Sequence, residues 1–204
     1  KESHGKPVIA LFVCHTGSVA EGEKLLAPFK GMGQPVGDIV QRRSYVSQQS
    51  LLDATQPKGR RYYWKSEYLP GLSDELFAGV REHAARIPSP HSAVICFPLG
   101  GAVAAYPADH SSVGNRDAQW VLNITSAWEK PEDDAVNVEW ARAAWRDLRK
   151  LSTGGTYVNF LTEEEGGDRL KDAYGPNMRK LAEIKAKWDP TNLFRANKNI
   201  TPAS

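Results

Sequence analysis

Two short stretches of the chain carry side chains that could do chemistry. In Thr156-Tyr157-Val158-Asn159-Phe160 the composition predicts a short strand, so side chains alternate. Tyr157 and Asn159 then share one side, where a phenol beside an amide can bind the polar edge of a ligand. The competing role is structural, with Tyr157 packed in the core and Asn159 capping a turn. In the second stretch, Gln119, Val121, Asn123 and Thr125 fall on one parity, and Trp120, Leu122 and Ile124 on the other. The apolar set is expected to face helices. The polar row is then a binding surface or a solvated face. A third segment, Arg60 to Ser66, has aromatic residues on both parities, and Tyr63 or Trp64 is a candidate for lining an apolar substrate pocket.

Several familiar site types are absent. No Gly-x-Gly-x-x-Gly follows a strand, and there is no Gly-x-x-x-x-Gly-Lys-Ser/Thr, His-Glu-x-x-His, Cys-x-x-Cys or Gly-x-Ser-x-Gly. The five histidines, His4, His15, His83, His91 and His110, lie far apart, so no metal site is expected. A cofactor taking part in redox chemistry would be bound mostly elsewhere.

The elements that must position these residues can be read from periodicity and end signals. Pro7 to Cys14 is apolar at both parities and predicts a strand covered on both faces. A helix is expected over Glu21 to Lys30, a short strand over Asp38 to Gln41 and a short helix over Tyr45 to Ala54. Ser73 is a good N-cap for a helix over Asp74 to Ile87, with Leu76, Val80 and Ala84 at helical spacing. Strands are expected over Arg60 to Ser66, His91 to Phe97 and Asp117 to Trp128. A further paired strand is expected from Gly100-Gly101 through Tyr106. Pro131 to Leu151 predicts a long helix with Trp140, Ala144, Leu148 and Leu151 as its buried stripe. Pro176 opens a last helix that Asp189-Pro190 stops.

These elements imply an α+β fold in one domain over residues 1–204, with a mostly antiparallel sheet and its helices on one face. The other face then needs cover from a second copy of the chain, a missing domain or a large ligand. Charged residues make up 25% and hydrophobic ones 41%, which is ordinary for a globular chain and argues against disorder. The net charge is +2 and no dense basic stripe exists, Lys58, Arg60 and Arg61 being the nearest approach, so no nucleic-acid partner is expected. Cys14 and Cys96 sit in apolar runs and are read as buried and reduced, which points to a cytoplasmic setting. Neither a membrane-spanning run nor a signal peptide is visible, and no membrane partner is expected. The start at Lys1 instead of Met is that of a fragment or a processed chain.

The tail reads Tyr157-Val158-Asn159-Phe160-Leu161, then Ala173-Tyr174-Gly175-Pro176-Asn177-Met178-Arg179-Lys180-Leu181. It closes with Trp188-Asp189-Pro190-Thr191-Asn192-Leu193-Phe194-Arg195 and Asn197-Lys198-Asn199-Ile200. This resembles the C-terminal signature of the berberine-bridge-enzyme-like FAD-linked oxidases, a branch of the vanillyl-alcohol-oxidase superfamily. The segments Gly59 to Ser66, Gly100 to Val103 and Asn115 to Trp128 resemble the same family's substrate domain. The resemblance implies a substrate domain whose open sheet face turns towards an FAD-binding domain absent from this chain. It also implies oxidation of an alcohol, sugar or amine-bearing small molecule by hydride transfer to FAD. Asn159 matches the asparagine of the family's Tyr-x-Asn motif near the flavin, and Tyr157 its tyrosine, a candidate catalytic residue. Asn197 and Asn199 match the closing motif on the flavin side. Tyr63, Gln119 and Asn123 are candidate substrate contacts. Two departures stand out: Phe160 occupies a position where many members carry a Tyr or His that serves in catalysis, and Asn115-Arg116 replaces His-Arg. The expected partners are the chain's own FAD-binding domain and a small-molecule substrate, with a homodimer as another way to cover the sheet. The alternative from another class is a stand-alone ligand-binding or dimerising α+β domain without catalysis.

Overall fold

A computed structural model describes residues 5–204, and the chain divides into two compact units, one ending at Lys58 and one over Gly59–Ser204. His4 lies outside the described residues.

The first unit holds two helices, α1 (Val19–Lys30) and α2 (Tyr45–Gln49), and a 3-10 turn at Asp53–Thr55. Ser18 caps α1 by accepting from Glu21 N, and Gly31 ends it. The strands expected over Pro7 to Cys14 and Asp38 to Gln41 are not formed. A strand needs a neighbour for its backbone groups, and this unit contains none among the described residues. Ile9 is 96% exposed, and Val8, Leu11 and Phe12 are exposed with it. Cys14 is likewise exposed, which corrects its assignment to a core, whereas Cys96 in the second unit is half-buried and burial pushes its thiol up.

The second unit is built on β1 (Arg61–Leu69), β2 (Ala93–Pro98) and β3 (Trp120–Trp128). The sheet order is β1-β3-β2, with both pairs antiparallel. Around it run α3 (Asp74–Ala84), the single turn α4 (Ala102–Ala105), α5 (Asp134–Leu148), α6 (Gly167–Tyr174) and α7 (Met178–Trp188). The α+β class and the helices on one sheet face agree with expectation. Ser73 caps α3 by accepting from Leu76 N, and α5 extends through a 3-10 turn on each side, from Pro131 to Leu151.

Leu122 and Ile124 of β3 and Leu69 of β1 meet Leu76 of α3 and Trp140, Ala141, Ala144 and Leu148 of α5 in one buried cluster. The helices are also tied by polar contacts: Trp140 Nε1 donates to His83 O at 3.0 Å, and His83 Nε2 lies 3.0 Å from Asp147 Oδ2. The strand expected from Gly100 to Tyr106 is instead the turn α4, entered through Gly101 at φ 51°, a conformation that breaks a strand. Helix α6 was not anticipated. Its start at Gly166-Gly167 carries no capping side chain, and only Leu170 and Ala173 of it are buried. No helix among the described residues is long and apolar enough to cross a membrane.

Candidate functional site

The register of the sheet sorts the candidate residues onto two faces. Ser66 pairs with Asn123, Trp64 with Thr125 and Tyr68 with Val121, while Ile95 and Phe97 of β2 flank Asn123 and Val121 from the other side. Side chains paired in this way point to the same face. Leu122 and Ile124 lie under the helices, so Val121, Asn123 and Thr125 face away from them, as the alternation of β3 implies. Gln119 continues the ladder, donating from N to Leu69 O at 3.0 Å and accepting from Leu99 N at 2.7 Å, and its side chain is exposed. Asn123 differs: it is only 6% exposed, and its Oδ1 finds no hydrogen-bond partner among the described residues. The indole Nε1 of Trp64, on the same face, is also buried and unsatisfied. A buried polar atom without a partner is costly enough to need an explanation.

The segment following α5 lies along one edge of this face. Thr153 N donates to Tyr68 O at 2.9 Å, and Thr156 Oγ1 donates to Ser66 O at 3.1 Å. Gly155 stands at φ 78°, and a Cβ there would come within 2.6 Å of Asn115 Oδ1, so both conformation and space require glycine. Asn115 is itself held by its Nδ2, which donates to Asp172 O and Ala173 O.

The strand expected over Thr156 to Phe160 is not formed. Val158–Phe160 is a 3-10 turn in which Phe160 N donates to Tyr157 O at 2.8 Å. The turn still brings Tyr157 and Asn159 together, because Asn159 Nδ2 donates to the Tyr157 hydroxyl oxygen at 2.6 Å. That bond leaves the phenolic proton available for another acceptor. Tyr157 meets Phe160 edge-on at 5.3 Å, Phe160 stacks on Phe97 at 6.2 Å, and Phe160 packs against Tyr68, Ala118 and Val121. Phe160 therefore anchors the turn to the sheet. The Tyr68 phenol is pushed up to about 12, chiefly by burial and next by Tyr157.

Tyr63 is placed elsewhere. It pairs with Ser126, whose hydroxyl donates to Asn137 of α5, so Tyr63 lies on the helix face and the sheet separates it from Asn123. There it joins a network of charges that sequence reasoning missed. The Tyr63 hydroxyl donates to Glu164 and accepts from Arg142 Nε at 3.1 Å, and burial followed by Glu164 pushes its phenol well up. Glu164 Oε1 also lies 2.7 Å from Lys65 Nζ. Burial disfavours the Glu164 carboxylate, but bonds from Arg142, Lys65 and Tyr63 prevail and hold it at about 2. Deeper in, Arg169 reaches Glu67 at 3.0 Å and Glu165 at 3.3 Å, and Trp145 Nε1 donates to Glu67 at 2.7 Å. The available signal was Lys65 and Glu67 on the parity of β1 that faces helices, where a charge needs a partner.

The closing motif reaches back to the same region. Asn197 is exposed at φ 57°, whereas Asn199 is half-buried with an Oδ1 that has no partner among the described residues. Between them, Lys198 Nζ donates to Thr162 O at 2.8 Å. Asp189 accepts from Leu193 N at 2.7 Å and from Phe194 N at 3.0 Å, fixing a turn on which Trp188, Leu193 and Phe194 are exposed. The structure thus joins Tyr157 to Asn159, sets Asn123 on the face supporting them, and leaves Tyr63 apart.

Comparison with known proteins bears out the resemblance read from the tail. Residues 156–201 match the family model described as "Berberine and berberine like". An FAD-linked oxidoreductase of Dictyostelium discoideum is 23% identical over 196 residues, covering 95% of this chain and 42% of the relative. A chitooligosaccharide oxidase of Gibberella zeae is 32% identical over 85 residues, covering 41% of this chain and 17% of the relative. Among solved structures, the H104A variant of berberine bridge enzyme superposes with a TM-score of 0.79 at 15% identity, covering 93% of this chain and 45% of that one, a likeness of fold. The chain is similar to the C-terminal part of these FAD-linked oxidoreductases and spans about two-fifths of the length of the curated relatives it matches along most of its own length.

Proposed function

We propose that this chain is the substrate-side part of an FAD-dependent oxidoreductase. Joined to its FAD-binding domain, it oxidises an alcohol, sugar or amine-bearing small molecule by hydride transfer. The single observation that carries this reading is the unsatisfied Oδ1 of Asn123, a buried acceptor on the sheet face that also supports the Tyr157–Asn159 pair. Ligand pockets are built this way, with an apolar and aromatic surround and few convergent polar groups.

The residues present fit a flat ring system with hydrogen-bonding edges. Phe97, Phe160 and Tyr157 give an aromatic wall, Asn123 Oδ1 is an acceptor that needs a donor, and Asn159 is an exposed amide next to it in role. Asn159, with Asn197 and Asn199 of the closing motif, would hold the flavin side, while Asn123 and Gln119 would meet substrate. FAD, when bound, supplies the hydride acceptor. The chain supplies position and proton handling. Phe160 cannot exchange a proton and the Tyr68 phenol is buried, so Tyr157 is the exposed phenol at this corner able to give or take one, with Asn159 donating to its oxygen.

Titration of the purified chain with FAD, followed by flavin fluorescence, tests the division of labour. The chain alone is expected neither to bind FAD tightly nor to turn over substrate. When joined to its flavin-binding part, it is expected to lose substrate oxidation on Asn123→Ala while the fold is kept. Tight stoichiometric FAD binding by the chain alone would show that the cofactor site has been misplaced.

A further inference from the structure

Thr162 stands two residues beyond Phe160, and its polar atoms are held by three parts of the second unit. Its N–H donates to Glu165 Oε2 at 3.0 Å, its hydroxyl lies 3.0 Å from the same oxygen and 3.4 Å from Lys65 Nζ, and its carbonyl accepts from Lys198 at 2.8 Å. Such a residue cannot shift without breaking bonds to β1, to the stretch leading into α6 and to the closing motif together. The turn bearing Tyr157 and Asn159 is tied at its start by Thr156 on Ser66 and at its end by this knot.

Lys65 is the buried cation of the knot. Its side chain is 4% exposed, and across the ladder it faces Ile124, an apolar neighbour that gains nothing from an ammonium group. Its charge is directed at the loop instead, 2.7 Å from Glu164 and 3.5 Å from Glu165, with the rings of Trp145 and Tyr63 at 5.3 and 5.5 Å. A methionine would fill the same slot between the two rings without the desolvation that a buried cation suffers. The cation therefore contributes where an apolar residue would not, in holding residues 162–165.

We propose that Lys65 is a positioning residue for the Tyr157–Asn159 pair, acting through Thr162. The inference rests on the reading of that pair as flavin-side groups, and its first test needs no flavin. Hydrogen exchange of the full chain, followed by mass spectrometry, is compared for the unaltered protein, Lys65→Met, Lys65→Arg and Thr162→Val. The amides of Phe160 and Leu161, bonded to Tyr157 O and Val158 O, are expected to exchange about tenfold faster in Lys65→Met and Thr162→Val. The β3 amides are expected to stay at their original rate, and Lys65→Arg, which keeps the cation, is expected to restore most of the protection. Thr162→Val removes one hydroxyl and no charge, and so keeps the test open if Lys65→Met fails to fold.

Unchanged exchange at residues 160–161 would overturn the proposal, as would an equal rise in β3. In the flavin-loaded, joined protein, Lys65→Met is expected to lower kcat several-fold with KM unchanged, in the direction of Asn159→Ala. If Asn159→Ala leaves both kcat and the flavin spectrum unchanged while the exchange result holds, the reading of the pair fails and the knot stands. A change in KM alone on Lys65→Met overturns the positioning role.

Discussion

Replacing Arg169 by Met tests the energetics of the buried charges most directly. Glu67 is 1% exposed and takes two bonds on one oxygen, from Arg169 at 3.0 Å and from Trp145 Nε1 at 2.7 Å. Burial already pushes its carboxyl above the usual 4.5, and the charge of Arg169 is the largest effect opposing this. Without Arg169 the carboxylate keeps the Trp145 indole N–H and the Ser152 hydroxyl, with Arg149 as a weaker cation. Breaking a buried pair in this way costs about 3–5 kcal/mol. The cost depends on pH. A carboxyl whose folded pKa is raised favours the folded state while protonated, and that advantage is lost as pH rises from 4.5 through the folded value. Urea unfolding of Arg169→Met, followed by tryptophan fluorescence, is therefore expected to show the full loss at pH 8 and a distinctly smaller one at pH 5. Adding Glu67→Gln, which removes the charge but keeps an acceptor for Trp145, is expected to recover all but about 1–2 kcal/mol at pH 8. An equal loss at both pH values, with no recovery in the double variant, would refute the account of Glu67 as an ionised, Arg169-dependent group.

Two further outcomes follow from the same region. Glu164 is held at about 2 against an ordinary 4.5, so its contribution is fully present above pH 4.5 and is lost as pH falls towards 2. An acid-unfolding profile is expected to be shallower over that window in Glu164→Gln than in the unaltered chain. Gly155→Ala must accept φ 78° and a 2.6 Å approach to Asn115, and is expected to destabilise by about 1–3 kcal/mol in thermal unfolding.

What the sequence disclosed depended on whether a signal was local. The alternation of Val121, Asn123 and Thr125 against Leu122 and Ile124 was legible because a half-covered strand repeats every two residues. Ser73 and the Trp140–Leu148 stripe were legible for the same kind of reason, since a cap and a helical face need only a few neighbouring residues. Pro7 to Cys14 has the composition of a strand but no neighbour to pair with among the described residues of its unit, and composition does not supply one. Thr156 to Phe160 also has strand composition, yet the positive φ of Gly154 and Gly155 and the anchoring of Phe160 close it into a turn. Arg60 to Ser66 has aromatics on both parities, so the face of Tyr63 was open until the register with Ser126 fixed it. The network around Lys65 joins residues about a hundred positions apart, and no periodicity marks such a contact. Tyr157 and Asn159 were found together for a different reason than expected: a side-chain bond across a 3-10 turn does what strand alternation was expected to do.

The central place of β3 in the sheet has a consequence for how this protein can diversify. Both neighbours hydrogen-bond to it, β1 along its whole length and β2 over residues 120–125. Its odd and even side chains nonetheless live in separate environments. Substitutions at Val121, Asn123 and Thr125 would rewrite the face opposite the helices and leave the packing of Leu122 and Ile124 as it is. An insertion or deletion of one residue in the same strand would exchange the two sets, turning Asn123 into the core and a leucine out of it. Variation on this surface is thus open to point substitution within β3 and closed to changes in its length.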